Sequence, residues 1–170
     1  MQRLTKLFTA AIAGLALSIA PAHARVEDDT RQLLDLLHST GVNVTINHPT
    51  HCDGDVWGTY QFVGMKRQMN LCPGESVDAI DHLTVRHETW HAIQHCVNVA
   101  RGTAVNTPVQ QDVNKLAGVV NQTLSAERVQ WIKSAYPQSH WLVEFEANVA
   151  ADVFTATELI EIYSDNCLAG

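Results

Sequence analysis

The chain has 170 residues, nine histidines, four cysteines and a formal net charge of −7. That length is enough for one domain with a proper hydrophobic core. An acidic balance without any basic cluster argues against nucleic acid or anionic lipid as the main partner.

The N-terminus reads as an export signal. Arg3 and Lys6 form a positive n-region, residues 7–20 are an apolar run of signal-peptide length, and Pro21 breaks it. Ala22 and Ala24 are the small residues a signal peptidase reads, so residues 1–24 are expected to be a signal peptide removed after Ala24. Losing Arg3 and Lys6 moves the net charge from −7 to −9 and leaves residues 25–170 as a single domain. No later stretch is apolar for long enough to span a bilayer, so the mature form is expected off the membrane, secreted or periplasmic. An exported chain with an even cysteine count is expected to form two disulfides. Cys52 and Cys72 bracket a strand-rich segment, and Cys96 and Cys167 end two predicted helices, which favours the pairs Cys52–Cys72 and Cys96–Cys167. No CxxC pair supports a cysteine-based zinc site.

Residues 27–38 predict a short amphipathic helix with Leu33, Leu34, Leu36 and Leu37 inward, ended by Gly41. Alternation from Val42 to Ile46 predicts a strand, and Thr59–Val63 and Lys66–Leu71 flank Gly64 as paired strands, giving a small antiparallel sheet of about three strands. Ser76 is placed to cap a helix running from Val77 to the region of Gly102, apolar on more than one side and hence central and buried. Thr107-Pro108 offers an N-cap and N1 for the next helix, striped by Val109, Val113, Leu116 and Val120. A further helix runs from Ala126 to Tyr136, ended by Pro137. The last and longest is expected from His140 to about Tyr163, capped by Ser139. The expectation is an α+β domain: a small antiparallel sheet followed by a mainly helical part.

The chemistry concentrates in His87-Glu88-Thr89-Trp90-His91, an HExxH sequence on the central helix. Residues four apart share a helical face, so His87 and His91 can bind one zinc ion while Glu88 reaches a water beside it as general base. His95 continues the same face but lies too far along the helix, about 12 Å from His87, to join one ion. The metzincin pattern is excluded because Gln94 and Val97 stand where it needs Gly and His. A third ligand must come from elsewhere, and the last helix offers Glu144 and Asn148, four apart on one face. One of them can bind the metal while the other hydrogen-bonds a ligating histidine.

HExxH followed downstream by Glu-x-x-x-Asp/Asn on another helix resembles the gluzincin arrangement of zinc metallopeptidases. The form Glu144-x-x-Ala147-Asn148 is similar to small bacterial metallopeptidases of the ImmA/IrrE type. The resemblance covers the two short motifs and the order sheet, active-site helix, ligand helix. It implies a zincin-like fold, with zinc held by His87, His91 and Glu144, Glu88 as the base, and Asn148 orienting a histidine. Glu146 is the rival third ligand, with Asp112 and Asp152 behind it. In such families an exposed edge strand before the active-site helix pairs with the substrate backbone, here Arg67–Leu71. Tyr136 and His140, near the ligand helix, are the candidates for stabilising an oxyanion. The expected activity is hydrolysis of a peptide or protein substrate. The rivals are an exported, disulfide-stabilised binding protein with structural or no zinc, and hydrolysis of a non-peptide amide such as a cell-wall fragment.

Overall fold

A computed structural model describes residues 23–53, 56–63, 66–74, 80–103 and 107–168. The expected leader up to residue 22, the Gly64 turn and the Ser76 cap lie outside the described residues. The architecture is α+β, mostly helical, with a three-stranded mixed sheet. Helix α1 spans His23–Ser39, so the expected cleavage point after Ala24 falls in its first turn. Leu33 and Leu37 of α1 are fully buried, and Leu34 and Leu36 pack against the same core. Gly41, at φ +87°, turns the chain out of α1 into β1 (Val42–Ile46).

Strands β2 (Gly58–Val63) and β3 (Lys66–Leu71) pair antiparallel, but β1 pairs parallel with β3, and the order is β1-β3-β2. The expected all-antiparallel sheet is therefore corrected to a mixed one. So is the expected role of Arg67–Leu71 as an exposed edge: β3 is central, and both of its edges are already paired. Met69 and Leu71 bury into the core, while Asn70 bridges the sheet, accepting from Thr45 Oγ1 at 2.6 Å and donating to Thr59 Oγ1 at 2.8 Å. A buried amide placed mid-sheet needs both partners, and only a central strand supplies them.

Helix α2 (His82–Ala100) starts five residues later than the expected start at Val77. Its N-cap is Asp81, whose carboxylate accepts from Leu83 N, Thr84 N and Thr84 Oγ1. Ten residues of α2 are buried, on more than one side, as a central helix requires. Helix α3 (Val113–Thr123) is capped by Asp112, not by Thr107, because residues 107–111 are held as a loop by bonds described below. Helix α4 spans Ala126–Ala135, close to expectation.

The long last helix is in fact two, preceded by a 3₁₀ turn (Gln138–His140) that contains Ser139. Helix α5 (Trp141–Val153) stops at Phe154, and α6 (Ala156–Cys167) restarts from Thr155 with a capping box to Glu158. The break is compensated. Arg86 Nη1 donates to the Phe154 carbonyl at 3.0 Å, and the Phe154 ring stacks on Trp90 at 5.4 Å. Residues 143–151 of α5 are buried without interruption, because α5 lies between two clusters. One joins α1, the sheet, α2 and α6; the other joins α3 and α4 to Phe145 and Val149 of α5. Both disulfides form with the expected pairing. Cys52–Cys72 ties the loop after β1 to the end of β3, and Cys96–Cys167 ties α2 to the end of α6. They fit an oxidising, extracellular setting. Among the described residues, no helix is long and apolar enough to cross a membrane.

Candidate metal centre and cleft

One turn of α2 brings the rings of His87 and His91 edge to face, centroids 4.7 Å apart, with their Nε2 atoms 3.0 Å apart. Helix α5, packed across α2, adds Glu144, with Oε2 3.3 Å from His87 Nε2 and Oε1 3.5 Å from His91 Nε2. These three residues form the one group of potential metal ligands among the described residues, their ligand atoms all within 4.8 Å of one another.

The donor set fits a divalent cation on geometry. A tetrahedral zinc ion with bonds of 2.0–2.1 Å spaces its ligand atoms by about 3.3 Å, and the observed 3.0, 3.3 and 3.5 Å bracket that value. It also fits on bonding. Glu144 Oε2 is buried with no aligned hydrogen bond, an expensive state for a carboxylate unless a cation faces it. The electrostatics couple the histidines and the carboxylate to one another. Burial works against a charged imidazole at His91, yet the bond and charge of Glu144, with Glu88 and Gln94, push it up to about 9. Burial likewise opposes ionised Glu144, but the two histidines hold it well below the usual carboxylate range.

Glu88 is only 4% exposed, its Oε2 has no hydrogen-bond partner, and it faces the floor of an open cleft of about 1090 Å³. Burial raises its pKa above the ordinary value, against the lowering effect of the two histidines and the Tyr60 backbone amide. A carboxylate with a raised pKa is a stronger proton acceptor than an exposed one. The close approach of β2 to this carboxylate depends on Gly58. A Cβ there would sit 2.6 Å from Thr84 Cγ2 and 3.1 Å from Glu88 Cγ and Oε1.

The remaining sequence candidates separate. Tyr136 lines the cleft, and its hydroxyl is held protonated by burial and by the carboxylates of Glu144 and Glu88. His140 is exposed on the 3₁₀ turn and does not line the cleft. Asn148 lines the cleft, but its amide donates to the Glu144 carbonyl at 2.9 Å; the partner of His91 Nδ1 is instead Gln94, whose Oε1 accepts from it at 2.8 Å. Glu146 points away from the histidines, fully buried and accepting four hydrogen bonds, from Trp90, Gln94, Val109 and Gln110. Asp112 is spent on capping α3, and Asp152 is exposed at the cleft wall. His95 packs on Phe62, ring centroids 4.1 Å apart, away from the ligands.

Sequence reading missed Gln94, Gly58 and two tryptophans. Trp57, before β2, and Trp131, on α4, are 64% and 49% exposed, and both line the cleft. Gln94 carried a signal, since it stands three residues after His91 on the same helix. No known protein family, curated protein or solved structure matches the chain.

Proposed function

We propose that the protein is an exported zinc-dependent peptidase, secreted or periplasmic, with His87, His91 and Glu144 as metal ligands and Glu88 as general base. The observation that carries the reading is the juxtaposition of two converging Nε2 atoms, a buried carboxylate facing both of them with one oxygen outside any hydrogen bond, and a second buried carboxylate in the cleft, Glu88, with a free oxygen. A Zn²⁺ held there supplies a Lewis acid for a carbonyl and brings the pKa of water toward about 7. Glu88 receives the water's proton at Oε2 and delivers it to the leaving amine. The Tyr136 hydroxyl, kept protonated, donates toward the negative charge that develops on the carbonyl oxygen. Gly58 keeps β2 low over Glu88, and β2 is the sheet edge bordering the cleft, suited to pairing with an extended peptide backbone. Trp57 and Trp131 provide apolar surface for substrate side chains on the flanking walls.

The rival, a structural zinc in a binding protein, calls for a closed set of four protein ligands. Among the described residues the donors at hand are three. Glu146 is committed elsewhere, and all four cysteines are in disulfides. The test is elemental analysis of the oxidised protein together with cleavage of a mixed peptide substrate by wild type and Glu88→Gln. One zinc per chain in both, with turnover only in wild type, supports the proposal. Wild-type activity in Glu88→Gln, or no zinc in the wild type after metal is added back, refutes it.

A further inference from the structure

Glu146 is the least expected feature of α5: a carboxylate with 0% exposure, two residues from Glu144 and outside the ligand set. Its Oε2 accepts from Trp90 Nε1 at 3.1 Å, Gln94 Nε2 at 2.9 Å and the Val109 amide at 2.7 Å, and its Oε1 accepts from the Gln110 amide at 2.7 Å. Burying an anion this completely is tolerated only when its lone pairs are this well met.

The consequence runs through Gln94, itself fully buried. A glutamine side chain has one donating end and one accepting end. Here the donating nitrogen is committed twice, to Glu146 Oε2 at 2.9 Å and to the Val143 carbonyl at 3.1 Å. The accepting Oε1 is therefore the end that faces His91 Nδ1 at 2.8 Å. An acceptor at that position holds a proton on His91 Nδ1, which makes Nε2, the nitrogen facing His87 and Glu144, the one that can give its lone pair to a metal ion. The opposite tautomer would put a proton where the metal belongs.

We infer that Glu146 and Gln94 are positioning residues for the metal centre: Glu146 fixes the Gln94 amide, Gln94 fixes the His91 tautomer, and the loop at residues 107–111 joins the same network through its two amides. This rests on the metal reading above. It adds a dependence of metal affinity on a loop that does not line the cleft. The loop is held to α2 by further bonds. Thr107 and Asn98 exchange two, and Arg101 donates to the Pro108 and Val109 carbonyls.

The test is Zn²⁺ affinity by chelator competition for wild type, Gln94→Ala, Glu146→Gln and the double variant, with the melting temperature of each metal-free protein recorded alongside. Each single variant should bind zinc about 10–100-fold more weakly. The double variant should bind no more weakly than the worse single one, because both act through one histidine proton. Affinities within a factor of two of wild type, with only the melting temperature lowered, would mean that Glu146 merely secures the loop, and the inference falls. Should the variants not fold, the wild type decides by imidazole nitrogen NMR with zinc bound. A proton on His91 Nδ1 supports the relay; a metal bound through Nδ1 overturns it. A wild type that binds no zinc overturns the metal reading itself, whereas unchanged affinity in variants of a zinc-binding wild type overturns the relay alone.

Discussion

Replacing Gly58 with alanine puts a methyl group 2.6 Å from Thr84 Cγ2 and 3.1 Å from Glu88 Cγ and Oε1. The first contact is about 0.8 Å short of an ordinary 3.4 Å approach. Thr84 cannot simply rotate away, because its Oγ1 is bonded to Asp81 Oδ2 at 2.9 Å in the cap of α2. Overpacking of this kind costs about 1–3 kcal/mol. Alanine for glycine in a strand returns about 0.4–1 kcal/mol through the unfolded chain. A net loss of about 1–2 kcal/mol follows, or a fall of roughly 2–8 °C in melting temperature. The second contact moves the Glu88 carboxylate by a few tenths of an ångström. Since a 1 Å misplacement costs about 10²-fold, kcat should fall roughly 3- to 10-fold.

The two effects separate in Gly58→Ala/Thr84→Ser, which removes Cγ2 and keeps the bond to Asp81. Melting temperature should recover while kcat stays low. The assay is a thermal melt and steady-state cleavage by both variants, with zinc content as control. Wild-type kcat in Gly58→Ala would refute the claim that β2 positions Glu88. So would a kcat that recovers in step with stability.

Other substitutions probe the remaining links. Glu88→Gln should retain zinc and lose about 10²–10⁴-fold in turnover, read by elemental analysis and peptide cleavage. His87→Ala and Glu144→Ala should each abolish stoichiometric zinc, whereas Glu146→Ala should still fill at saturating metal, with lower affinity and a lower melting temperature. Trp57→Ala and Trp131→Ala should raise KM for peptides with bulky apolar side chains, with kcat and stability nearly unchanged; equal KM values would remove the tryptophans from substrate binding. Cys96→Ser/Cys167→Ser opens a link across 71 residues, and loop-closure entropy predicts a loss of about 4 kcal/mol in denaturant unfolding, against about 3 for Cys52→Ser/Cys72→Ser across 20.

What the chain determined by itself is local. The convergence of His87 and His91, with Glu88 beside them, follows from the 3.6-residue period of one helix and needs no partner. The α+β class, the strand positions, α4 and the disulfide pairs follow from periodicity, turn residues and cysteine placement in the same way. What only the tertiary structure decided is which face of one element meets which face of another. Glu144 and Glu146, two residues apart, stand about 200° apart around α5, so the packing of α5 on α2 selects Glu144 for the histidines and sends Glu146 to Gln94 and the 107–111 loop. Sheet order is equally non-local: β3 could serve as an edge until β1 paired with it across more than twenty residues. Helix ends failed where a cap competed with tertiary bonds. Thr107-Pro108 reads as a helix start, but the Val109 and Gln110 amides are claimed by Glu146. The continuous helix to Tyr163 breaks because Phe154 stacks on Trp90 and Arg86 accepts the burden of its carbonyl by donating to it. A sequence window carries the period of its own element; the partner that satisfies a buried carboxylate or carbonyl lies tens of residues away, and only the folded chain brings it there.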